Sequence, residues 1–173
     1  MTLGATRSEP VARTAAFDCS AWPVPHPAPF LCDLTIDHSQ VSRAVAHVDN
    51  IAFVRWVDRV AVLHADDLGF TRGDLLERGV MWFVVRHEID YLAEVWPGDE
   101  LVLATWVRTM RRVKSWRDTL VMRPADHTLV CRASTLWVLV DLQTRRPIRH
   151  DTDMVSRFAP LDSPSGANRC TSR

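Results

Sequence analysis

The sequence predicts an α+β domain in which a five-stranded antiparallel sheet wraps around one buried helix. Three observations carry this expectation. A single long helical segment is apolar on nearly every side, four β-rich runs follow it in succession, and Pro/Gly/Asp turn residues separate those runs.

Phe30 to Ile36 has the composition of a first strand. Ile51 to Leu68 reads as a helix, with Asn50 as its N-cap and Gly69 as its stop. Ile51, Phe53, Val54, Trp56, Val57, Val60, Ala61, Val62 and Leu63 lie on nearly all sides of the helix, and a helix that is apolar almost all round belongs in an interior. A short helical turn over Thr71 to Arg78 ends at Gly79. Strand-like runs follow at Val80 to Tyr91, Glu100 to Val107, Val113 to Met122 and Leu129 to Asp141. Pro97-Gly98-Asp99 separates the first two, and Pro124-Ala125-Asp126 turns the last pair as a hairpin. Asp151 to Phe158 closes the unit as a short helix. One strand, one buried helix and four antiparallel strands make the hot-dog fold, present once because no internal repeat is visible.

The 173 residues suffice for one domain with a sizeable core. Residues 1–29 are expected to be a disordered leader, because Pro at every second position from Pro23 to Pro29 excludes a helix and disfavours pairing. Residues 30–160 form the folded domain, and residues 161–173 a polar, disordered tail. Lys plus Arg and Asp plus Glu both number 21, so no overall field recruits nucleic acid or an anionic membrane. The four cysteines show no CxxC spacing, which argues against a metal site or a disulfide framework and fits a reducing cytosol. No apolar signal core and no membrane-length run are present, so the expected location is cytoplasmic, with no cofactor.

Two stretches carry the chemistry. Ala46-His47-Val48-Asp49-Asn50-Ile51-Ala52-Phe53-Val54-Arg55-Trp56 stands at the predicted helix start, and Val85-Arg86-His87-Glu88-Ile89-Asp90-Tyr91-Leu92 on the next strand. The first resembles the Gly-His-Val-Asn-Asn-x-x-Tyr-x-x-Trp signature of the 4-hydroxybenzoyl-CoA-thioesterase-like superfamily. The second is similar to a strand of the same proteins. Pro97-Gly98-Asp99-Glu100-Leu101 and the segment from Trp137 to Pro147 extend the resemblance over roughly residues 32–158.

The resemblance implies a hydrolase of acyl-CoA or acyl-carrier-protein thioesters, in fatty-acid or polyketide metabolism. It also implies a homodimer or homotetramer joined through sheet edges, with active sites at the seam. The family places a carboxylate four residues before the motif histidine, and here that position is Arg43. His47, Asp49, Asn50 and Arg43 are therefore the candidate catalytic group. Asp49 is the nearest replacement carboxylate, Arg43 a source of positive charge, and the helix N-terminus the oxyanion binder. Helix capping alone accounts for Asp49 and Asn50 equally well. Glu88 is a second candidate, with an ion pair to Arg86 the plainer reading.

Arg108 to Arg117 holds five basic residues and no acidic one. Arg111, Arg112, Lys114 and Ser115 are the candidate substrate-binding residues, suited to coenzyme A phosphates or an acidic carrier protein. A solvated strand that blunts edge pairing is the competing account. Most of the seven tryptophans read as core, Trp56 and Trp137 among them. Two further functions stay open: a dehydratase- or cyclase-type lyase using His47 with Asp49, and a non-catalytic acyl-thioester binding protein.

Overall fold

A computed structural model describes residues 8–38 and 47–162 of the chain. Arg43 lies outside the described residues. The elements run β1 (Val11–Ala12), β2 (Phe30–Thr35), α1 (Asn50–Asp67), α2 (Arg72–Glu77), β3 (Val80–Tyr91), β4 (Glu100–Arg111), β5 (Lys114–Arg123), β6 (Thr128–Asp141) and α3 (Thr152–Phe158). All six strands join one antiparallel sheet in the order β1-β2-β4-β5-β6-β3. The expected hot-dog arrangement is present, with one short strand more than the five read from the sequence.

Strand alternation sets what each face does. On β4, Leu101 and Leu103 face α1 and pack with Phe53, Trp56 and Val60 of that helix and with Val121 and Val130. Val102, Ala104 and Trp106 point to the opposite face, where they meet Leu120, Met122 and Trp22. A strand that is apolar on both sides needs cover on both. That requirement corrects the expectation for the leader. From residue 8 onward it is placed against the sheet: Val11 and Ala12 pair with Asp33 and Cys32, Arg13 forms an ion pair with Asp33, and Trp22 is only 9% exposed. The prolines rule out a helix there, yet an extended strap that covers the outer face needs neither a helix nor long pairing. The same face takes Leu161, so the ordered unit also reaches past residue 160.

Two features of α1 differ from the sequence expectation. Its N-cap is Asp49, not Asn50: the Asp49 carboxylate accepts from the Ala52 N–H at 2.9 Å, and Asn50 is the first helical residue. The helix is also not covered on every side within one chain. Ala52, Phe53, Trp56, Val57, Val60 and Ala61 are buried, whereas Ile51 and Val62 are exposed. The stop is as expected, with Gly69 at φ +78°, a conformation that side chains with a Cβ rarely adopt.

Among the described strands β3 lies at the edge of the sheet and pairs only with β6. Its free side presents Phe83, Val84 and Val85 at 43%, 38% and 57% exposure. Among the described residues no helix is long and apolar enough to cross a membrane.

Candidate active site

The start of α1 gathers three of the residues singled out from the sequence. Asp49 caps the helix through one carboxylate oxygen, and the other has no hydrogen-bond partner among the described residues. Helix geometry leaves the N–H groups of Asn50 and Ile51 without intrahelical acceptors, and both residues are exposed. The His47 ring lies 2.8 Å from the Val48 carbonyl through Nδ1 and edge-on to Trp96, with centroids 6.2 Å apart. Tyr91, from the end of β3, directs its hydroxyl at the Asn50 carbonyl at 3.5 Å. Sequence reasoning misses Tyr91 and Trp96, because they enter from another strand and a loop. The cluster thus offers a half-engaged carboxylate, an imidazole and a phenol around a helix N-terminus whose partial positive charge suits a developing oxyanion.

The basic stretch divides. Arg111, Arg112 and Lys114 are exposed at the β4–β5 turn, with Arg112 at φ 55°. Arg108 lies over the Trp116 ring and pairs with Asp118 at 3.7 Å. Ser115 and Arg117 alternate onto the inner face and are buried, which corrects the reading of Ser115 as part of a surface patch. Glu88 pairs with Arg86 at 2.7 Å on the exposed edge, and such a pair contributes little to stability.

Ser115 and Arg117 line a cavity of about 380 Å³ between the sheet and the C-terminal half of α1. The helix contributes Asp58, Ala61, Val62 and Ala65, an i, i+3, i+4, i+7 stripe, and most of the remaining wall is apolar. Desolvation raises the Asp58 carboxyl above its usual range, with the His87 imidazole opposing. Arg117 Nη1 contacts His64 Nδ1 at 2.8 Å and Thr105 Oγ1 at 3.3 Å, and its guanidinium lies over the Phe158 ring. Burial lowers its pKa to about 10, so it stays charged at neutral pH. Burial, then the Arg117 charge, then His26, push His64 down to about 3, so its ring is neutral and Nδ1 accepts the guanidinium N–H.

That pair has a pH consequence. The unfolded His64 takes up a proton below its ordinary value of 6.5, and the folded one does not until about 3. Its contribution to stability is therefore complete above pH 6.5 and is lost as pH falls from there toward 3. Urea titrations across that window should show a decline approaching 1.4 kcal/mol per pH unit at most, roughly one proton's worth. His64→Gln, whose side-chain oxygen can still accept from Arg117, should flatten it. An unchanged slope would show that other groups carry the acid sensitivity.

The two candidate groups do not meet within one chain. Tyr91 stands opposite Cys131 on β6, and Lys114 opposite Val138. Those two β6 positions are seven residues apart, or about 23 Å along the strand. Asp58, the first α1 residue on the cavity wall, lies nine residues beyond Asp49, about 13 Å down the helix. The cationic turn therefore neighbours the cavity, and the helix N-terminus lies at the far end.

A family profile described as Thioesterase-like superfamily matches residues 32–158. No curated protein matches the chain in sequence. The structure is similar to a 1,4-dihydroxy-2-naphthoyl-CoA thioesterase from Synechocystis, with TM-score 0.70, 17% identity, and coverage of 79% of this chain and 100% of that one. A Staphylococcus aureus protein solved in complex with CoA aligns with TM-score 0.73 and 14% identity over 84% of this chain and 89% of its own. An acyl-ACP thioesterase from Bacteroides thetaiotaomicron aligns with TM-score 0.67 and 20% identity, over 83% of this chain but only 57% of that one. At these identities the structural likeness establishes the fold.

Proposed function

The chain belongs to the thioesterase-like superfamily, and from that premise we propose that it hydrolyses an acyl-CoA or acyl-carrier-protein thioester at a site shared between two copies. The observation that carries the reading is the α1 N-terminus, with its unengaged N–H groups beside the Asp49 carboxylate. In this reaction the free Asp49 oxygen orients a water and takes its proton as the water oxygen bonds to the thioester carbonyl carbon. The N–H groups of Asn50 and Ile51 receive the carbonyl oxygen as it becomes an oxyanion. Collapse breaks the carbon–sulfur bond, the thiolate leaves and is protonated, and the free acid remains.

The separation between helix N-terminus and cationic turn supports the two-copy arrangement. A twelve-residue edge strand with Phe83, Val84 and Val85 exposed on it is a pairing surface, and a two-fold axis makes such pairing antiparallel. Antiparallel pairing of β3 with its copy sets the Tyr91 end of one chain beside the Val80 end of the other. Each helix N-terminus then faces the partner's cavity and its Arg111, Arg112 and Lys114, which would hold the phosphates of coenzyme A or an acidic carrier protein. A cytoplasmic location and a place in fatty-acid or polyketide metabolism fit this reading.

A panel of acyl-CoA and acyl-carrier substrates, with free thiol as the readout, tests the proposal. Release of thiol by the wild type supports it, and no release from any substrate would sink it. Charge reversal at Arg111 and Arg112 together should raise KM several-fold, and more so at low salt, where exposed charges are less screened. A KM that is independent of salt in both proteins would leave the turn without a part in binding. A second reading, a binding protein without turnover, is favoured by one observation: Asp49 already serves as helix cap while Arg43 stands where the family carries its carboxylate.

A further inference from the structure

Arg117 is only 5% exposed, and burying a charge is costly unless something compensates it. Among the described residues no carboxylate lies within ion-pair distance of it. Asp58 and Asp66 line the same cavity from α1, yet neither pairs with it. Its polar contacts are a neutral imidazole and a hydroxyl, both made through Nη1. Nε and Nη2 hydrogen-bond to no described residue. These two nitrogens form the edge of the guanidinium that takes both oxygens of a carboxylate in parallel bonds. The neighbouring wall adds donors: Ser115, and Trp137, whose buried indole N–H has no partner among the described residues. Ser115 and Trp137 are directly opposed on β5 and β6, and Arg117 is two residues along from Ser115.

We infer that this cavity receives an acyl group whose far end carries a carboxylate, bound two-pronged by Arg117. At about 30 Å³ per small group, 380 Å³ holds on the order of a dozen non-hydrogen atoms, enough for a short dicarboxylic half-thioester or a carboxylated ring. The cavity wall is apolar along Val62, Phe70, Leu75 and Met81, which suits the body of such a group, while the cation suits its end. This assignment deepens the thioesterase reading and rests on it for the word acyl. The carboxylate site itself rests on Arg117 alone.

Two measurements separate the two claims. Binding is followed by tryptophan fluorescence, since Trp82 and Trp137 line the cavity, using monomethyl adipate and the uncharged dimethyl adipate as probes. The wild type should bind the acid ten- to a hundredfold more tightly than the diester, the usual reach of a charged hydrogen-bonded pair. Arg117→Gln should bring that ratio toward one, and Arg117→Lys, which keeps the charge without the fork, should fall between. If Arg117→Gln does not fold, Val62→Trp, a half-exposed position, should block the cavity and abolish acid binding. Equal binding of acid and diester by the wild type, or acid binding that survives Val62→Trp, would overturn the assignment.

The second measurement compares hydrolysis of adipoyl-CoA with that of its ω-methyl ester. A higher kcat/KM for the acid that depends on Arg117 supports the inference. Acid binding without any thioester hydrolysis would leave the carboxylate site standing and remove the hydrolase. Hydrolysis with no preference for the acid in either measurement would do the reverse.

Discussion

Asp49→Asn should lower turnover about a hundredfold while leaving the protein folded, which is the usual scale of one general base. The structure makes this substitution unusually clean. Asp49 caps α1 by accepting from Ala52, and asparagine caps a helix about as well as aspartate. The loss would therefore report on the carboxylate as base, not on the cap. Asp49→Ala, by contrast, should cost about 1 kcal/mol of stability as well as activity. Comparing the two by thermal unfolding and steady-state kinetics separates positioning from proton transfer. If Asp49→Asn turns over at the wild-type rate, the base assignment is wrong. The oxyanion-binding N–H groups of Asn50 and Ile51 would then carry the acceleration without a carboxylate.

Much of this site is legible in the chain itself. The helix and its stop follow from local chemistry, and the motif around His47 identifies which helix end matters. What the sequence does not supply is the side of each strand. Arg117 sits among Arg108, Arg111, Arg112 and Lys114 in the chain, and a run of basic residues reads as one surface patch. Pairing register alone turns Ser115 and Arg117 inward and Trp116 outward, because a strand alternates at every residue. Asp58 is hidden for a similar reason. Its polarity reads as an interruption of an apolar helix, whereas the stripe Asp58, Ala61, Val62 and Ala65 is one wall of the cavity. The leader departs from its expected disorder because proline excludes regular structure but not packing, and its partner surface is the apolar outer face of β4. The chain does hold a hint of this: Leu101 to Val107 is apolar on both faces, and only a covered sheet tolerates that.

The largest effect is expected at the β3 edge. Val85→Glu should dissociate the assembly and reduce turnover by more than a hundredfold, because in the proposed arrangement each site is completed by the second copy. Val85 is exposed in the single chain, so the substitution leaves the fold in place, while across a two-fold axis it sets like charges close together. Light scattering should show the wild type as a dimer or larger and the variant as a monomer. A stable wild-type monomer at micromolar concentration would remove the seam altogether. Mixing two impaired variants, assayed with substrate well below KM, gives a sharper test. Asp49→Asn removes the base at the helix N-terminus, and joint reversal of Arg111 and Arg112 to Glu spoils the turn some 23 Å away along the sheet. In a mixed dimer with shared sites, one site takes its helix from the turn variant and its turn from the helix variant, and is intact. Half of randomly assorted dimers are mixed and each has one good site of two, so co-expression should restore about a quarter of the wild-type activity. If instead each site were built from a single chain, every site in the mixture would carry one lesion and the activity would stay at the average of the two variants.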